Sequence, residues 1–328
     1  SGNLMIPLFK VHPLPSIGAR IQEVFDSGQL TEGEYSNKFE QMFGLYVGNS
    51  NSSLVNSCTS ALILAYRMCG LDKDSEIITT PMTCMATNEP AHLTGAKLVF
   101  ADIDPETGNI DPESVKKKIS SRTKAIVGVH WAGQPFDIDG IKSVINESGL
   151  DIKLIEDAAH ALGAKYKGKL VGSHSDYVCF SFQAIKHLTT GDGGAICSKS
   201  KIDDERIKKL RWFGLSRNYK GSKWNQDVTE SGYKFHMNNI NAVIGIEQMK
   251  SIDEIIATHK RNGSLLDKLI SNANVQKLRR DNTSESSHWI YTVLVDDVSH
   301  FMRYLAENGI ASDRGSTNYP EQKRSAQG

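Results

Sequence analysis

The chain has no excess charge of either sign and no long apolar run. Lysine and arginine together number 38, as do aspartate and glutamate. A balanced chain has no global field that attracts nucleic acid or an anionic membrane surface, so any anionic ligand must be held by local groups. The N-terminus lacks a charged region followed by an apolar one, and no segment approaches the length of a membrane span. We expect a cytoplasmic protein that binds neither nucleic acid nor a membrane.

Cysteine is also scarce, with five residues in 328. The five include no Cys-x-x-Cys pair and no cysteine and histidine spacing of a metal site, so we expect no metal centre. Largely apolar surroundings predict buried thiols in a reducing compartment. They are Cys58, Cys69, Cys84, Cys179 and Cys197.

What the chain does contain is a repeated alternation of short apolar runs with amphipathic segments of helical length. The runs that predict strands are 76–80, 97–102, 124–130, 153–156, 177–182 and 194–198. This alternation is typical of βαβ units, which build a mostly parallel sheet with helices on both faces. Ligands collect at the carboxyl ends of the strands in such sheets, and the most informative polar residues of this chain stand there.

The rest of the chain predicts a second, smaller domain. We expect a charged helix between Lys201 and Phe213, then an exposed loop at 217–221. Apolar residues at helical spacing predict one long helix from about 236 to 262, and strands of the second domain follow in 275–297. The length allows a large domain at 1–245 and a smaller α+β domain at 246–328.

One lysine stands between a predicted strand and a glycine-rich turn. Lys186 follows the run 177–182, and glycines come at 191, 193 and 194. Its neighbours Ile185 and Leu188 predict partial desolvation, which favours the neutral amine needed to form a Schiff base with an aldehyde. Taken alone, such a lysine is more often a surface residue beside a turn.

A second apolar run ends in an acid. Asp157 closes it, and His160 follows three residues later. A carboxylate at that place can pair with a protonated pyridine nitrogen and keep the ring cationic, so that the ring accepts electrons. The alternatives are an N-cap role for Asp157 and a structural role for His160.

A polar turn predicts a phosphate site. Residues 56–60 lead into a helix expected to begin near Ala61, and the N–H groups of a helix start, with the hydroxyls of Thr59 and Ser60, can hold a phosphate. A plain N-cap is an equally good interpretation. Ser181, which with Gln183 precedes the lysine, carries a hydroxyl that can bind the same phosphate.

Together these segments resemble the DegT-like sugar aminotransferases, fold type I pyridoxal-phosphate enzymes that act on nucleotide-linked keto-sugars. The resemblance covers the chain from about Phe9 to Asp253. It is carried by Thr-Ser-Ala-Leu at 59–62, Pro-Met-Thr-Cys-Met-Ala-Thr at 81–87, His-Trp-Ala-Gly-Gln-Pro at 130–135, Glu-Asp-Ala-Ala-His at 156–160 and Ser-Phe-x-x-x-Lys-x-Leu-Thr-Thr-Gly-Asp-Gly-Gly at 181–194. The resemblance implies an α/β fold with a mostly parallel, seven-stranded sheet flanked by helices, and a small C-terminal domain that is incomplete here.

The resemblance also implies roles for individual residues. Lys186 would form the Schiff base with pyridoxal 5′-phosphate and move the proton between substrate and cofactor. Asp157 would hold the pyridine nitrogen, and His160 would lie near the ring or its 3-hydroxyl. The cofactor phosphate would be bound by the hydroxyls of Thr59, Ser60 and Ser181, with Gln183 next to them.

Two residues depart from the family pattern. Cys84 stands where relatives commonly place an aromatic residue over the cofactor ring, and a thiol cannot stack as a phenyl ring does, unless Met82 or Met85 compensates. Lys234 stands where many relatives have an asparagine that reaches the partner subunit's cofactor phosphate. A lysine there can contact that phosphate through its charge or point to solvent, and the sequence favours neither.

The implied activity moves an amino group from an amino acid, L-glutamate by analogy, to a nucleotide-linked keto-sugar, a 4-keto-6-deoxyhexose. Pyridoxamine 5′-phosphate would form during turnover, and the partners would be these two substrates and a second copy of the chain in a homodimer with shared sites. One alternative is a sugar dehydratase that uses pyridoxamine phosphate and has histidine at the lysine position, which Lys186 argues against. The other is a catalytically idle scaffold of the same fold.

Overall fold

The fold is built around one central sheet. The computed structural model describes residues 5–222, 225–280 and 282–315. In chain order its strands are β1 (Ser52–Val55), β2 (Glu76–Thr79), β3 (Lys97–Phe100), β4 (Thr123–Val129), β5 (Lys153–Asp157), β6 (Lys165–Tyr166), β7 (Lys169–Leu170), β8 (Tyr177–Ser181), β9 (Gly194–Ser198), β10 (Gln276–Lys277), β11 (Ser284–Glu285) and β12 (Val293–Leu294). Its helices are α1 (Ile17–Asp26), α2 (Glu34–Val47), α3 (Cys58–Met68), α4 (Met85–His92), α5 (Pro112–Lys118), α6 (Ile138–Ser148), α7 (Lys201–Leu210), α8 (Asn239–Met249), α9 (Ile252–Leu269) and α10 (Val298–Glu307).

Seven strands form the central sheet in the order β1-β9-β8-β5-β4-β2-β3. Neighbours from β8 to β3 run parallel, whereas β9 is antiparallel to both β8 and β1. Because both faces of a largely parallel sheet are covered, most of its strands have an apolar centre. That pattern made β2, β3, β4, β5, β8 and β9 visible in the sequence. The predicted α/β class with a mostly parallel seven-stranded sheet is confirmed.

Helices cover the two faces of the sheet. On one face, Phe39 and Phe43 of α2 and Ile246 of α8 pack against Val178 and Phe180 of β8. On the other face, α3 packs its apolar side chains against Cys179 and the residues that share its side of the sheet. Successive side chains of a strand point to opposite faces, so a single strand such as β8 contributes to both cores. In the described ranges 5–222, 225–280 and 282–315, no helix is long and apolar enough to cross a membrane.

β1 is a strand that the periodicity did not reveal. It contains two serines, which mask the apolar pattern, yet both are buried. Ser52 donates to the carbonyl of Asn49 (2.6 Å), and Ser53 donates to Asp204 on α7 (2.7 Å). A nearby carbonyl satisfies one hydroxyl and the distant Asp204 satisfies the other, and the strand takes its place at the sheet edge.

The single helix expected at 236–262 is wrong, because two helices occupy that stretch. The break lies between α8 and α9 at Ser251, whose backbone angles (φ −115°, ψ 7°) leave the helical range. The second helix continues to Leu269 and buries Ile252, Ile255 and Ile256. Each helix thus presents its own apolar face to the core, which one straight helix over this stretch would not do.

The C-terminal part forms short strands beside the large domain. β10 pairs with β12 in a two-stranded sheet. β11, β6 and β7 form a three-stranded sheet in which β6 lies in the middle. Strands were expected in 275–297, and those found there are two residues long. The domain boundary predicted after residue 245 falls inside α8, and a division there stays a prediction.

Candidate active site

Lys186 lies in a tight turn directly after β8. Its backbone N–H donates to the carbonyl of Gln183 (2.9 Å), so the chain turns here and does not extend the strand. The side chain is half-buried. Burial lowers the pKa of its amine, and the nearby Asp157 carboxylate opposes that shift. A larger share of neutral, nucleophilic amine is therefore present near pH 7 than for an exposed lysine.

Asp157 ends β5 and is 4% exposed. One carboxylate oxygen accepts from the N–H of Ala159 (3.1 Å), and the other accepts from the hydroxyl of Thr87 (2.6 Å). Turns and not a helix follow it at 158–163, so the N-cap alternative is wrong. The two donors fix the carboxylate and leave further lone pairs on both oxygens, which can accept from a protonated ring nitrogen.

His160 is held in one tautomer. Its Nδ1 accepts from the backbone N–H of Ala132 (3.2 Å), so the proton of the neutral ring is on Nε2. Burial, with the positive charge of Lys186 as a smaller cause, lowers the pKa of His160 well below its usual value. The imidazole therefore stays neutral at physiological pH and offers an N–H donor.

The helix start predicted near Ala61 lies three residues earlier. α3 begins at Cys58, and Ser57 is its N-cap, with a side-chain oxygen that accepts from the N–H of Ser60 (3.0 Å). Ser57 takes the cap role and leaves the N–H groups of Cys58 and Thr59 without a partner inside the helix. A phosphate site at this helix start stays a prediction.

Thr59 and Ser60 differ in what they can offer a ligand. The hydroxyl of Ser60, which is buried, donates to the side-chain oxygen of Asn56 (2.6 Å). Thr59 is half-buried in the first turn, where its N–H and that of Cys58 have no carbonyl within the helix to bond. These two N–H groups and the Thr59 hydroxyl are the better phosphate donors, and the helix dipole favours an anion there.

Gly194 brings β9 against the start of α3. A Cβ at this position would lie 2.6 Å from the nitrogen of Cys58 and 2.7 Å from the carbonyl oxygen of Phe180. Both are backbone atoms, so neither can rotate away. A glycine is required for the strand to pass this close to the helix start.

Ser181 and Gln183 form part of the turn that carries the lysine. The Ser181 hydroxyl, at the end of β8, accepts from the N–H of Gln183 (3.3 Å). The side chain of Gln183 accepts from the N–H of Ile185 (3.0 Å), and the residue is exposed. The local structure thus gives Gln183 a role in shaping the turn.

Cys84 is exposed and lies at the N-cap position of α4, without a side-chain cap bond. It lies near enough to Lys186 to be a small cause that raises the pKa of that amine. Met82 packs against Trp131, whereas Met85 is exposed. Buried thiols were expected throughout, which is correct for Cys58, Cys179 and Cys197, whereas Cys69 is half-buried and the exposed Cys84 corrects the prediction.

Lys234 is exposed, and its backbone lies beside the start of α3. Its carbonyl accepts from the side-chain amide of Asn56 (3.4 Å), and the next residue, Phe235, accepts from the Asn56 N–H (2.8 Å). The choice between a phosphate contact and solvent stays open.

Sequence reasoning missed Thr87 and Trp289. Thr87 orients Asp157 and exchanges a hydrogen bond with Thr83 (2.6 Å), and only its position one helical turn after Thr83 hinted at this. Trp289 stacks on His160 with ring centroids 4.0 Å apart, although it lies 129 residues further along the chain. Nothing local to Trp289 indicated such a contact.

The arrangement fits a phosphorylated pyridine aldehyde. Lys186 supplies an amine for the aldehyde, Asp157 an acceptor for a ring N–H, and His160 a donor for a phenolic oxygen. The start of α3, kept open by the missing side chain of Gly194, supplies N–H groups for a phosphate. These donors and acceptors match the chemical groups of pyridoxal 5′-phosphate one by one.

Comparison with known proteins identifies relatives of this chain. MJ1066 of Methanocaldococcus jannaschii is 42% identical over 249 residues, covering 73% of this chain and 64% of that protein. The spore coat polysaccharide biosynthesis protein SpsC of Bacillus subtilis is 39% identical over 256 residues, covering 75% of this chain and 65% of that protein. The chain therefore spans a little under two thirds of the curated relatives it matches.

Solved structures agree in fold. The sugar aminotransferase CalS13 of Micromonospora echinospora superposes with a TM-score of 0.92 at 33% identity, covering 98% of this chain and 89% of that one. Spr1654 of Streptococcus pneumoniae, described in its PLP-form, gives a TM-score of 0.89 at 27% identity, covering 98% and 88%. The fold is that of the fold type I pyridoxal-phosphate enzymes. The model of the DegT/DnrJ/EryC1/StrS aminotransferase family matches residues 15–319, and the chain belongs to that family.

Proposed function

We propose that the protein is a pyridoxal-phosphate-dependent aminotransferase that transfers an amino group from L-glutamate to a nucleotide-linked keto-sugar. The observation that carries the proposal is the half-buried amine of Lys186, whose pKa burial lowers, close to the fixed carboxylate of Asp157. The names of SpsC and CalS13 support a sugar substrate, and the PLP-form of Spr1654 supports the cofactor.

The residues of the site divide the chemistry between them. When bound, pyridoxal 5′-phosphate supplies an aldehyde and a cationic ring that withdraws electrons from the substrate carbon. Asp157 keeps the proton on the ring nitrogen. Lys186, once its amine is free, takes the proton from the α-carbon of the amino donor and later delivers a proton to the sugar carbon. His160, neutral and with its proton on Nε2, donates a hydrogen bond and does not add a positive charge.

The proposal extends to substrate, assembly and compartment. The sugar is a 4-keto-6-deoxyhexose linked to a nucleoside diphosphate, and turnover is ping-pong through pyridoxamine 5′-phosphate. Two copies of the chain form a homodimer with shared sites. Five thiols without a disulfide agree with a cytoplasmic location.

The test is covalent attachment followed by turnover. The protein incubated with pyridoxal 5′-phosphate and reduced with borohydride should carry the cofactor on Lys186, as read by peptide mass. With L-glutamate and a panel of nucleotide keto-sugars, the product sugar should gain an amino group by mass. Lys186→Ala should keep its thermal unfolding temperature and lose both signals, because no other amine can replace it at the turn. Lys199→Ala removes an exposed lysine after β9 and should keep both.

Each alternative has its own outcome. A protein that binds only pyridoxamine phosphate and removes a hydroxyl from the sugar would be a dehydratase. A protein with neither attachment nor turnover at any pH would be an idle scaffold. Full turnover by Lys186→Ala would refute the role of the lysine.

A further inference from the structure

One segment of the C-terminal part, residues 287–289, binds the turn that carries Lys186 from both sides. His187, directly after the lysine, is buried, and its Nε2 lies 3.0 Å from the carbonyl of Ser287. Burial lowers the pKa of His187 to about 3, so the ring is neutral and donates from Nε2. On the other side, the indole N–H of Trp289 donates to the carbonyl of Ile185 (2.8 Å).

The same segment also reaches the His160 loop. The hydroxyl of Ser287 donates to the carbonyl of His160 (2.9 Å), and its N–H donates to the carbonyl of Gly133 (3.0 Å). Four hydrogen bonds thus tie Ser287 and Trp289 of the C-terminal part to the turn that carries Lys186, to the turn that carries His160 and to Gly133. A segment that only covered a core would not need to bond the residues on both sides of one lysine.

The indole of Trp289 completes these contacts with its ring. It is 9% exposed, stacks on His160, and lies with its ring centroid 3.7 Å from the Lys186 amine. Phe9 of the N-terminal segment stacks on it at 5.3 Å. An aromatic face attracts an ammonium group, most strongly for tryptophan and where water is excluded. The ring therefore offers the protonated amine a defined resting place.

We propose that Trp289 is a positioning residue for Lys186, which holds the backbone of the turn through Ile185 and the ammonium form of the amine against the indole face. The purpose of this positioning rests on the proposed function. In that function the amine would be released from the cofactor, carry a proton and return, so it needs a fixed place between those events. The C-terminal part then contributes directly to the reactive amine, although the residues that the sequence predicted for the site all lie before it.

The test uses cofactor-free protein, so it does not depend on turnover. Lys186 is labelled with a small amine-reactive reagent across a pH series, and its labelled fraction is read by peptide mass. Trp289→Phe loses the indole N–H and keeps an aromatic face, whereas Trp289→Leu loses both. We expect the labelling midpoint to fall by about half a unit to one unit in the leucine variant and by less in the phenylalanine variant. The titratable groups that act on Lys186 or feel its charge are unchanged in both; they are Asp157, Cys58, Cys84, His160 and His187.

Hydrogen exchange of the peptide spanning 182–190 gives a second measurement. Loss of the bond to Ile185 should speed exchange of the turn in both variants. Trp212→Leu is the matched control, because it removes an indole that lies 3.8 Å from another cation, Arg217, and should change neither reading. Thermal unfolding checks that each variant folds. If the leucine variant does not fold, the exchange rate of the phenylalanine variant alone decides whether Trp289 holds the turn.

The outcomes separate this inference from the proposed function. Equal labelling midpoints in the phenylalanine and leucine variants, or an exchange rate like that of the parent protein, would overturn the positioning role. Failure of the parent protein to attach pyridoxal 5′-phosphate at Lys186 would overturn the proposed function, whatever the Trp289 variants show.

Discussion

At the scale of single residues, the candidate site depends on side chains whose hydrogen bonds orient other side chains. The carboxylate of Asp157 is oriented by Thr87, which in turn exchanges a hydrogen bond with Thr83. Hydrogen bonds to a charged group are stronger than those between neutral groups, and the buried surroundings increase their effect. A hydroxyl that never touches the cofactor can therefore control how well the carboxylate pairs with a ring nitrogen.

Thr87→Val tests this control with almost no change in shape. Loss of the bond to a buried carboxylate should destabilise the protein by about 1.5–3 kcal/mol in urea unfolding. It should also weaken binding of pyridoxal 5′-phosphate, measured by absorbance titration. Thr79→Val removes a buried hydroxyl that donates to the neutral Asn88 (2.5 Å), and should lower stability while leaving the cofactor affinity unchanged. Equal cofactor affinities in the two variants would contradict the role of Thr87.

At the scale of elements, the proposed phosphate site lies where a helix and a strand pack closely together. The start of α3 supplies the N–H groups, and β9 passes so near that only Gly194 fits. The contacts are between backbones, so the fit is set by how the strand and helix are packed on the sheet. Side-chain chemistry alone would not produce it.

Gly194→Ala should therefore be costly at this junction. The new methyl group would press on the nitrogen of Cys58, and we expect a loss of about 1–3 kcal/mol in unfolding free energy together with weaker binding of inorganic phosphate and of the cofactor. Gly18→Ala is the control, since a Cβ there meets open space in a helix and should be neutral or stabilising by up to about 1 kcal/mol. A Gly194→Ala protein as stable as its parent would show that the junction can relax.

At the scale of the whole molecule, buried neutral histidines make stability depend on pH. Burial lowers the pKa of His160 well below its usual value and that of His187 to about 3. In the unfolded chain both titrate near 6.5, so below that pH the unfolded state binds more protons and the folded state loses stability. Each ring contributes a loss of about 1.4 kcal/mol per pH unit as the pH falls below about 6.5.

Urea unfolding of the cofactor-free protein between pH 7.5 and about 5 measures this slope. His187→Gln keeps a donor for the carbonyl of Ser287 and cannot be protonated. The slope of the unfolding free energy against pH should therefore be smaller than that of the parent protein, by the equivalent of close to one bound proton. His300→Gln makes the same change at an exposed position on α10. Equal slopes for the two variants would contradict a dominant role for the buried ring.

Features with a local cause were predictable. The buried strands appear as apolar runs because both sheet faces are covered, and Lys186 and Asp157 stand out because polar residues end those runs. The strand β1 was missed because its two serines interrupt the apolar pattern, and one of them bonds to the distant Asp204. The break between α8 and α9 at Ser251 was missed as well. Trp289 escaped notice because it belongs to no motif. Thr87 closes the motif at 81–87, but its bond to Asp157 is visible only in the tertiary structure.

The amino-acid order by itself determined the class of fold and singled out Lys186 and Asp157 as the candidate amine and acid, because these follow from short-range patterns and from motifs in a set order. Only the tertiary structure decided which hydroxyl caps α3, which tautomer His160 holds, and that Trp289 of the C-terminal part lies against the amine of Lys186. Those outcomes arise from contacts between segments more than a hundred residues apart or from backbone geometry, and no local pattern encodes them.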